Sequence, residues 1–248
     1  MLQSLRTLRG VVRSLRIYHG GRAARAAMDR LYDQFVQPGD LVFDIGAHVG
    51  DRVASFRRLG ARVVAVEPQP ALVRTLKLLY GRDPTITIEP IAVGPYSGEI
   101  EFNLNLDNPT VSTASVAFVR ASAGAPGWEG QAWTDTLRVP ITTLDELIAR
   151  HGKPSFIKID VEGFEAGVLA GLSQPPAALS FEFTTIQPGV AAACIAGCAA
   201  LGYASFNAVL GEGRNLIHPR WLTAPETTRW LSGLPLGANS GDIYARIA

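Results

Sequence analysis

The sequence predicts a doubly wound α/β fold, a mostly parallel sheet covered by helices on both faces, and three observations predict it. Residues 41–68 read LVFDIGAHVGDRVASFRRLGARVVAVEP: a short apolar strand, a glycine turn, a helix and a second apolar strand ending on an acid, the outline of a βαβ nucleotide site. A further short apolar strand, 156–159, breaks off into charges at its carboxyl tip. Elsewhere short apolar runs alternate with helical patterns, and counting them gives seven core strands. The 248 residues, 47% of them apolar, suffice for one such domain with additions.

The first unit carries the most chemistry. Positions 41–45 are too short and too apolar for a surface helix and fit a strand buried on both faces, as a parallel sheet requires. Gly46 and Gly50 bracket the turn, where glycine lets the chain bend and a ligand reach the backbone, and the helix from Asp51 offers unpaired N–H groups. Glu67 closes the second strand where a carboxylate meets ribose hydroxyls. The run Asp44-Ile45-Gly46-Ala47-His48-Val49-Gly50 is D-x-G-x-x-x-G, without the middle glycine of the dinucleotide turn G-x-G-x-x-G. An acid at the strand tip suits a cation better than a diphosphate. S-adenosylmethionine, which carries an ammonium and a sulfonium and no phosphate, is the cofactor this turn fits; an NAD(P)-dependent oxidoreductase on a related fold is the rival reading.

Ahead of this unit, Leu2, Leu5, Leu8, Val11, Val12 and Leu15 recur at three- and four-residue intervals between arginines, an amphipathic helix. The first thirty residues hold Arg6, Arg9, Arg13, Arg16, Arg22, Arg25 and Arg30 against one acid, Asp29, while the whole chain carries only +1. That balance argues against a general nucleic-acid binder. The basic helix reads either as a packing helix with a solvated face or as a patch for anionic lipid or an anionic glycan carrier. A second helix is expected over 23–35, stopped by Pro38-Gly39. No apolar run approaches the roughly 20 residues of a membrane span. Cys194 and Cys198 lie four apart in a helical stretch, poor geometry for a disulfide. Reduced thiols and a cytoplasmic setting are expected, with peripheral contact at the inner face of a membrane left open to the basic helix.

After Glu67 the pattern continues with a helix at 68–79, a third strand at 86–93, a turn at 94–98 and an exposed, alternating strand at 99–104. Ala92 and Val93, small and apolar, suit a slot for a flat base. Positions 105–136 form an irregular insert with Trp128 and Trp133, which either stack on an acceptor or pack on the core. A strand at 137–141 leads through Thr143 into a helix at 144–150. In FIKIDVEGFE, residues 156–165, Lys158 and Asp160 share a face by the two-residue period. Charges there are costly unless paired or placed at the strand tip, where open sheets bind ligands. Asp160 and Glu162 are therefore expected to face the turn opened by Asp44. A strand at 178–183 carries Glu182, either a buried partner of Lys158 or a catalytic acid. A helix at 190–201, a strand at 203–209, an insert with Trp221 and Trp230, and a last strand at 242–247 complete the chain.

In this order VFDIGAHVGD, VVAVEPQP, AVGPYSGEIEF, TTLDELI and IKIDVEGFEAGVLAGL resemble the FkbM-type methyltransferases, a branch of the S-adenosylmethionine-dependent class I enzymes. The resemblance implies a Rossmann-like α/β sheet of seven strands in the order 3-2-1-4-5-7-6, the last antiparallel. It also implies methyl transfer, commonly to hydroxyl oxygens of sugars or polyketide-type products. It assigns Asp44, Gly46, Ala47 and Gly50 to the methionine end of the cofactor and Glu67 to the ribose diol, with Pro68 beside it. Asp160 and Glu162 fall in the family's acidic motif near the reacting groups, and His48 stands where many relatives have Asn. The expected cofactor set is thus Asp44, Gly46, Ala47, Gly50, Glu67, Pro68, Ala92, Val93 and Asp160, and the candidate bases are Asp160, Glu162 and Glu182. Paired acids can hold Mg²⁺, but the sequence shows no clear ligand set. Residues 1–40 read as an N-terminal helical extension and 41–248 as the methyltransferase domain, with inserts 105–136 and 211–240 as candidate acceptor-binding elements. The expected function is O-methylation of a hydroxyl on a sugar, glycan or small natural product; a methyltransferase-like binding protein without turnover is the third reading.

Overall fold

The amphipathic stripe that opens the chain folds as α1 (Leu2–Tyr18), followed by a shorter helix, α2 (Arg22–Tyr32). The computed structural model describes residues 2–19 and 21–247, with side chains from Leu5 onward, so Leu2 of the stripe lies outside the described side chains. Helix α2 ends three residues earlier than the pattern suggests, and Phe35 continues in a turn, stacked on Phe156 and Tyr244 with ring centroids 5.4 and 5.2 Å away. Leu31, Tyr32 and Val36 are buried against Val42, Phe56 and Phe156. Ring pairs of this kind contribute about 0.5–1.5 kcal/mol each beyond their burial. Helix α2 is therefore part of the core.

The βαβ unit is β1 (Leu41–Ile45), α3 (Asp51–Arg58) and β2 (Arg62–Val66); α4 (Pro70–Tyr80) and β3 (Ile86–Glu89) extend it. All five residues of β1 are buried, as strands covered on both faces must be. The expected single strand at 86–93 is two. Pro90 interrupts it, and β4 (Ala92–Val93) leaves the main sheet to pair with β6 (Asp135–Thr142), which also pairs antiparallel with β5 (Gly98–Leu104). A second, three-stranded sheet results, in the order β4-β6-β5. The insert between β5 and β6 carries a 3₁₀ turn (Pro109–Val111) and α5 (Val116–Ser122), capped by the Ser115 hydroxyl. Trp128 packs edge-on to Phe118 at 5.0 Å, and the Trp133 indole donates to the Val111 carbonyl at 2.8 Å, so both rings help fold the insert.

The chain returns through α6 (Leu144–His151) to β7 (Phe156–Ile159), α7 (Glu165–Leu169), β8 (Ala178–Thr184), α8 (Pro188–Ala200) and β9 (Tyr203–Leu210). The last insert holds α9 (Ala224–Ser232), with a Thr223–Glu226 capping box, and β10 (Ser240–Ile247) closes the sheet. The main sheet runs β3-β2-β1-β7-β8-β10-β9, with β10 antiparallel to both neighbours. Numbered among themselves, its seven strands take the order 3-2-1-4-5-7-6. Leu41, Phe43 and Ile45 face the layer of α6, α7 and α8, while Val42 faces α2 and α3. Cys194 and Cys198 are free and buried in α8. Among the described residues no helix is long and apolar enough to cross a membrane.

Candidate active site

A cavity of about 380 Å³ opens at the carboxyl ends of β1, β2, β7 and β8, within the size range of small-ligand sites. The sheet order reverses between β1 and β7, which is where open α/β sheets hold ligands. Gly46 makes the crevice close-fitting. Its φ is +85°, and a Cβ there would stand 1.8 Å from the Asp160 carbonyl oxygen, so the turn after β1 rests directly on the tip of β7.

Asp44 and Glu67 form one end. Asp44 is 2% exposed, and its Oδ2 has no hydrogen-bond partner. Burial, with some repulsion from Asp51, pushes its carboxyl up to about 7. The Glu67 carboxylate accepts the His48 N–H on Oε2 at 3.0 Å and the Gln69 N–H on Oε1 at 2.8 Å. Burial lifts it too to about 7, against the pull of those N–H groups. Each Glu67 oxygen keeps a second lone pair, the arrangement a diol needs. The orphaned Asp44 oxygen calls for a cationic or donor group. Together these two features fit the ammonium and ribose of the expected cofactor. His48 has φ +49°, a conformation that suits Asn more readily, and its imidazole, pushed by burial down to about 4, is neutral at pH 7. Its backbone, more than its ring, sets Glu67.

The other end is acidic. Asp160, Glu162 and Glu182 each present a carboxylate oxygen, all within 4.8 Å of one another. Glu162 sits at φ +55°, its carbonyl receiving the Thr113 hydroxyl at 2.7 Å, and Glu165 holds the turn by accepting the Val161 and Gly163 N–H groups. Glu162 Oε2 and Glu182 Oε2 are buried without partners. Burial, then repulsion from the neighbouring acids, drives both carboxyls well above their ordinary value. Burial acts the same way on Asp160, but Lys158 and Arg52 outweigh it and hold that carboxyl below the usual range.

Lys158 does not pair with Glu182. In register it faces Ser180 on β8, and its fully buried ammonium donates to Asp242 at 2.6 Å and to Asp160 at 3.2 Å. Glu182 is itself opposite Asp242 on β10.

Of the residues expected from sequence, Asp44, Gly46, Ala47, Glu67, Pro68, Ala92, Val93, Asp160, Glu162 and Glu182 all line this cavity. Gly50 does not. A Cβ on it would meet the Tyr80 ring at 2.6 Å and Leu76 at 2.8 Å, and the Tyr80 hydroxyl donates to its carbonyl, so Gly50 lets α4 pack against the turn. Sequence reasoning missed the wall formed by α1. Arg13, Ser14, Ile17 and Tyr18 line the cavity, while Val11, Leu15 and Tyr18 pack against Val49 and Leu72. The i, i+4, i+7 spacing of those three was the available signal. Thr110 and Trp128 of the insert also line it, as do Glu212, Asn239 and Ser240.

A family model described as Methyltransferase FkbM domain matches residues 44–195. A hexuronic acid methyltransferase, AglP, of Haloferax volcanii is 26% identical over 163 residues, 65% of this chain and 62% of the relative, so the chain spans less than two thirds of that protein's length. Two solved structures are similar in outline. Precorrin-6y C5,15-methyltransferase from Geobacter metallireducens superimposes with a TM-score of 0.41 at 14% identity, covering 90% of this chain and 87% of the other. Fibrillarin from Aeropyrum pernix, with natively bound S-adenosyl-L-methionine, does so with a TM-score of 0.44 at 11% identity, covering 89% and 73%.

Proposed function

The chain belongs to the FkbM-domain methyltransferase family, and from that premise we propose that it moves a methyl group from S-adenosylmethionine to a hydroxyl oxygen of a sugar or a similarly hydroxyl-rich small molecule. Membership sets aside the NAD(P)-dependent oxidoreductase. When bound, the cofactor supplies an electrophilic methyl on a cationic sulfur. Asp44 takes the cationic methionine end, Glu67 the ribose diol, and Ala92 and Val93 the face of the base. Gly46 and Ala47 leave the backbone open to the ligand.

One observation carries the reading: a single cavity joins Asp44 and Glu67 to two carboxylates, Glu162 and Glu182, that have oxygens without partners. An alcohol is a weak nucleophile at neutral pH, and a carboxylate within reach strengthens it. Asp160, Glu162 and Glu182 supply acceptors for the substrate's hydroxyls, and one of them takes the proton as the C–O bond forms and the C–S bond breaks. Holding the hydroxyl in line with the methyl supplies much of the barrier reduction. The hexuronic acid named in the relative's description supports a sugar-type acceptor.

Incubation with methyl-labelled S-adenosylmethionine and a panel of glycans, uronic acids and small alcohols should yield a labelled methyl ether. Asp160→Asn, Glu162→Gln and Glu182→Gln are tested singly; the two glutamate variants should retain binding of S-adenosylhomocysteine, and at least one of the three should lose about 10²–10⁴-fold in turnover. Unchanged turnover in all three, or label recovered as an ester or on nitrogen, overturns the proposal.

A further inference from the structure

We propose that Asp160, Glu162 and Glu182 form a binding site for one hard divalent cation, of the Mg²⁺, Mn²⁺ or Ca²⁺ type, at the acceptor end of the cavity. The three carboxylate oxygens lie within 4.8 Å of one another. Metal–oxygen bonds of about 2.3–2.6 Å for Ca²⁺ and about 2.0–2.1 Å for Mg²⁺ put oxygens on opposite sides of an ion about 4.6–5.2 or about 4.1 Å apart, so three oxygens no farther than 4.8 Å from one another can close on a single ion with modest side-chain movement.

Among the described residues, positive charge pairs with only one member of the cluster, Asp160, through Lys158. Glu162 is only 6% exposed, and its Oε2 has no partner; the buried Oε2 of Glu182 has none either. A buried carboxylate oxygen without a donor is costly. The nearest cation cannot serve them, because the Lys158 ammonium is spent on Asp242, Asp160 and, at 3.5 Å, the Ile159 carbonyl. Asp242, directly across from Glu182 in the sheet, is an acid and brings no cation of its own. A divalent cation supplies what both orphaned oxygens lack.

Three protein ligands leave an ion of this kind with three or more open positions, which water or adjacent hydroxyls of an acceptor can occupy. Each carboxylate has a second oxygen, so ligating the ion leaves room for the proton transfer described above. The ion's part in turnover rests on the methyl-transfer reading; its binding does not.

The test uses the full chain, stripped with chelator and titrated with MnCl₂ while the electron paramagnetic resonance signal of free Mn²⁺ is followed. One ion per chain should bind, with a Kd of about 10⁻⁵–10⁻³ M, the range of modest carboxylate sites, and added Mg²⁺ or Ca²⁺ should displace it. Glu182→Gln and Glu162→Gln should each weaken Mn²⁺ by about tenfold or more. Glu182 lies within a strand, free of the positive φ of Glu162, so its variant carries the test if the other fails to fold. S-adenosylhomocysteine is titrated on the same preparation, so a failed cofactor site and a failed ion site give different results. Protein that binds S-adenosylhomocysteine but no Mn²⁺, or Mn²⁺ binding unchanged in the variants, overturns the proposal.

Discussion

With the cofactor placed on Asp44 and Glu67 as proposed, its affinity is expected to depend on pH. Both carboxyls are raised to about 7 by burial, against ordinary values of about 4, which corresponds to about 3–4 kcal/mol for each group. A raised folded value keeps the proton on the folded chain between about pH 4 and 7 while the unfolded chain has lost it. The cofactor-free protein therefore holds this stability at the acidic end and loses it as pH rises through 7. Binding runs the other way. A cationic group at Asp44 favours its carboxylate, and a diol at Glu67 needs free lone pairs, so below pH 7 binding must expel up to two protons. The charged groups around Asp44 are Asp51 and Arg52 from α3 and Lys158 and Asp160 from β7 and its tip; Asp44 in turn faces Glu67. Calorimetric titration with S-adenosylhomocysteine between about pH 7.5 and about 5.5, where the ligand's own amino group stays charged, isolates the protein's carboxyls. Kd should rise by about tenfold per pH unit for each carboxyl that must ionise. The ligand-induced gain in Tm should shrink over the same range, and Asp44→Asn should flatten the slope by one proton. A wild-type Kd that stays constant across the window refutes the reasoning.

Three further outcomes follow from the geometry. Gly46→Ala places a Cβ 1.8 Å from the Asp160 carbonyl at φ +85°; urea unfolding should show a loss of about 2–4 kcal/mol, with loss of S-adenosylhomocysteine binding, and a variant matching wild type in both would show the turn is not seated on β7. Lys158→Met leaves Asp160 and Asp242 without their cation and should cost about 3–5 kcal/mol in the same assay, part of it recovered when Asp242→Asn is added; no recovery would mean the two residues do not share the charge. Deleting residues 1–20 removes Arg13, Ser14 and Tyr18 from the cavity wall and should weaken S-adenosylhomocysteine by about tenfold, or about 1.4 kcal/mol, with the circular dichroism of the sheet retained; an unchanged Kd would exclude α1 from the site.

What the sequence made legible follows from how local each constraint is. β1 was readable because burial on both faces leaves only apolar residues until Asp44 near the tip, and β7 because its one buried charge, Lys158, stands beside Asp160 where the strand ends. Thr143 gave the start of α6 by ordinary cap chemistry, and Pro38-Gly39 the start of β1 by breaker chemistry, while α2 had already ended at Tyr32. The break at Pro90 was not legible, because ITIEPIAV keeps its apolar character while changing sheets. Nor was the partner of Lys158, since Asp242 lies 84 residues away and the pairing depends on the antiparallel return of β10. The Lys158–Glu182 pairing failed for a related reason: alternation gives the face, while register decides the neighbour, and Lys158 faces Ser180. The α1 wall was hidden because a basic amphipathic stripe has the same pattern whether it covers a core, a ligand or a membrane.

The charge pattern of the crevice suits the proposed reaction as a whole more than either reactant alone. In a low-dielectric cleft, creating or separating charge during a step is what raises a barrier. At the start, the acids at the tips of β1, β2, β7 and β8 face a cationic donor and a neutral hydroxyl. At the end, the donor's sulfur is a neutral thioether, and the hydroxyl's proton has passed to a carboxylate at the β7–β8 end. One positive charge is present before and after, moved by a few ångströms from sulfur to proton. Glu162 and Glu182, each with one buried oxygen that has no donor, sit where that charge arrives. Committing Lys158 to Asp160 and Asp242 leaves Glu162 and Glu182 without a fixed lysine partner, so an oxygen of either can take up the proton.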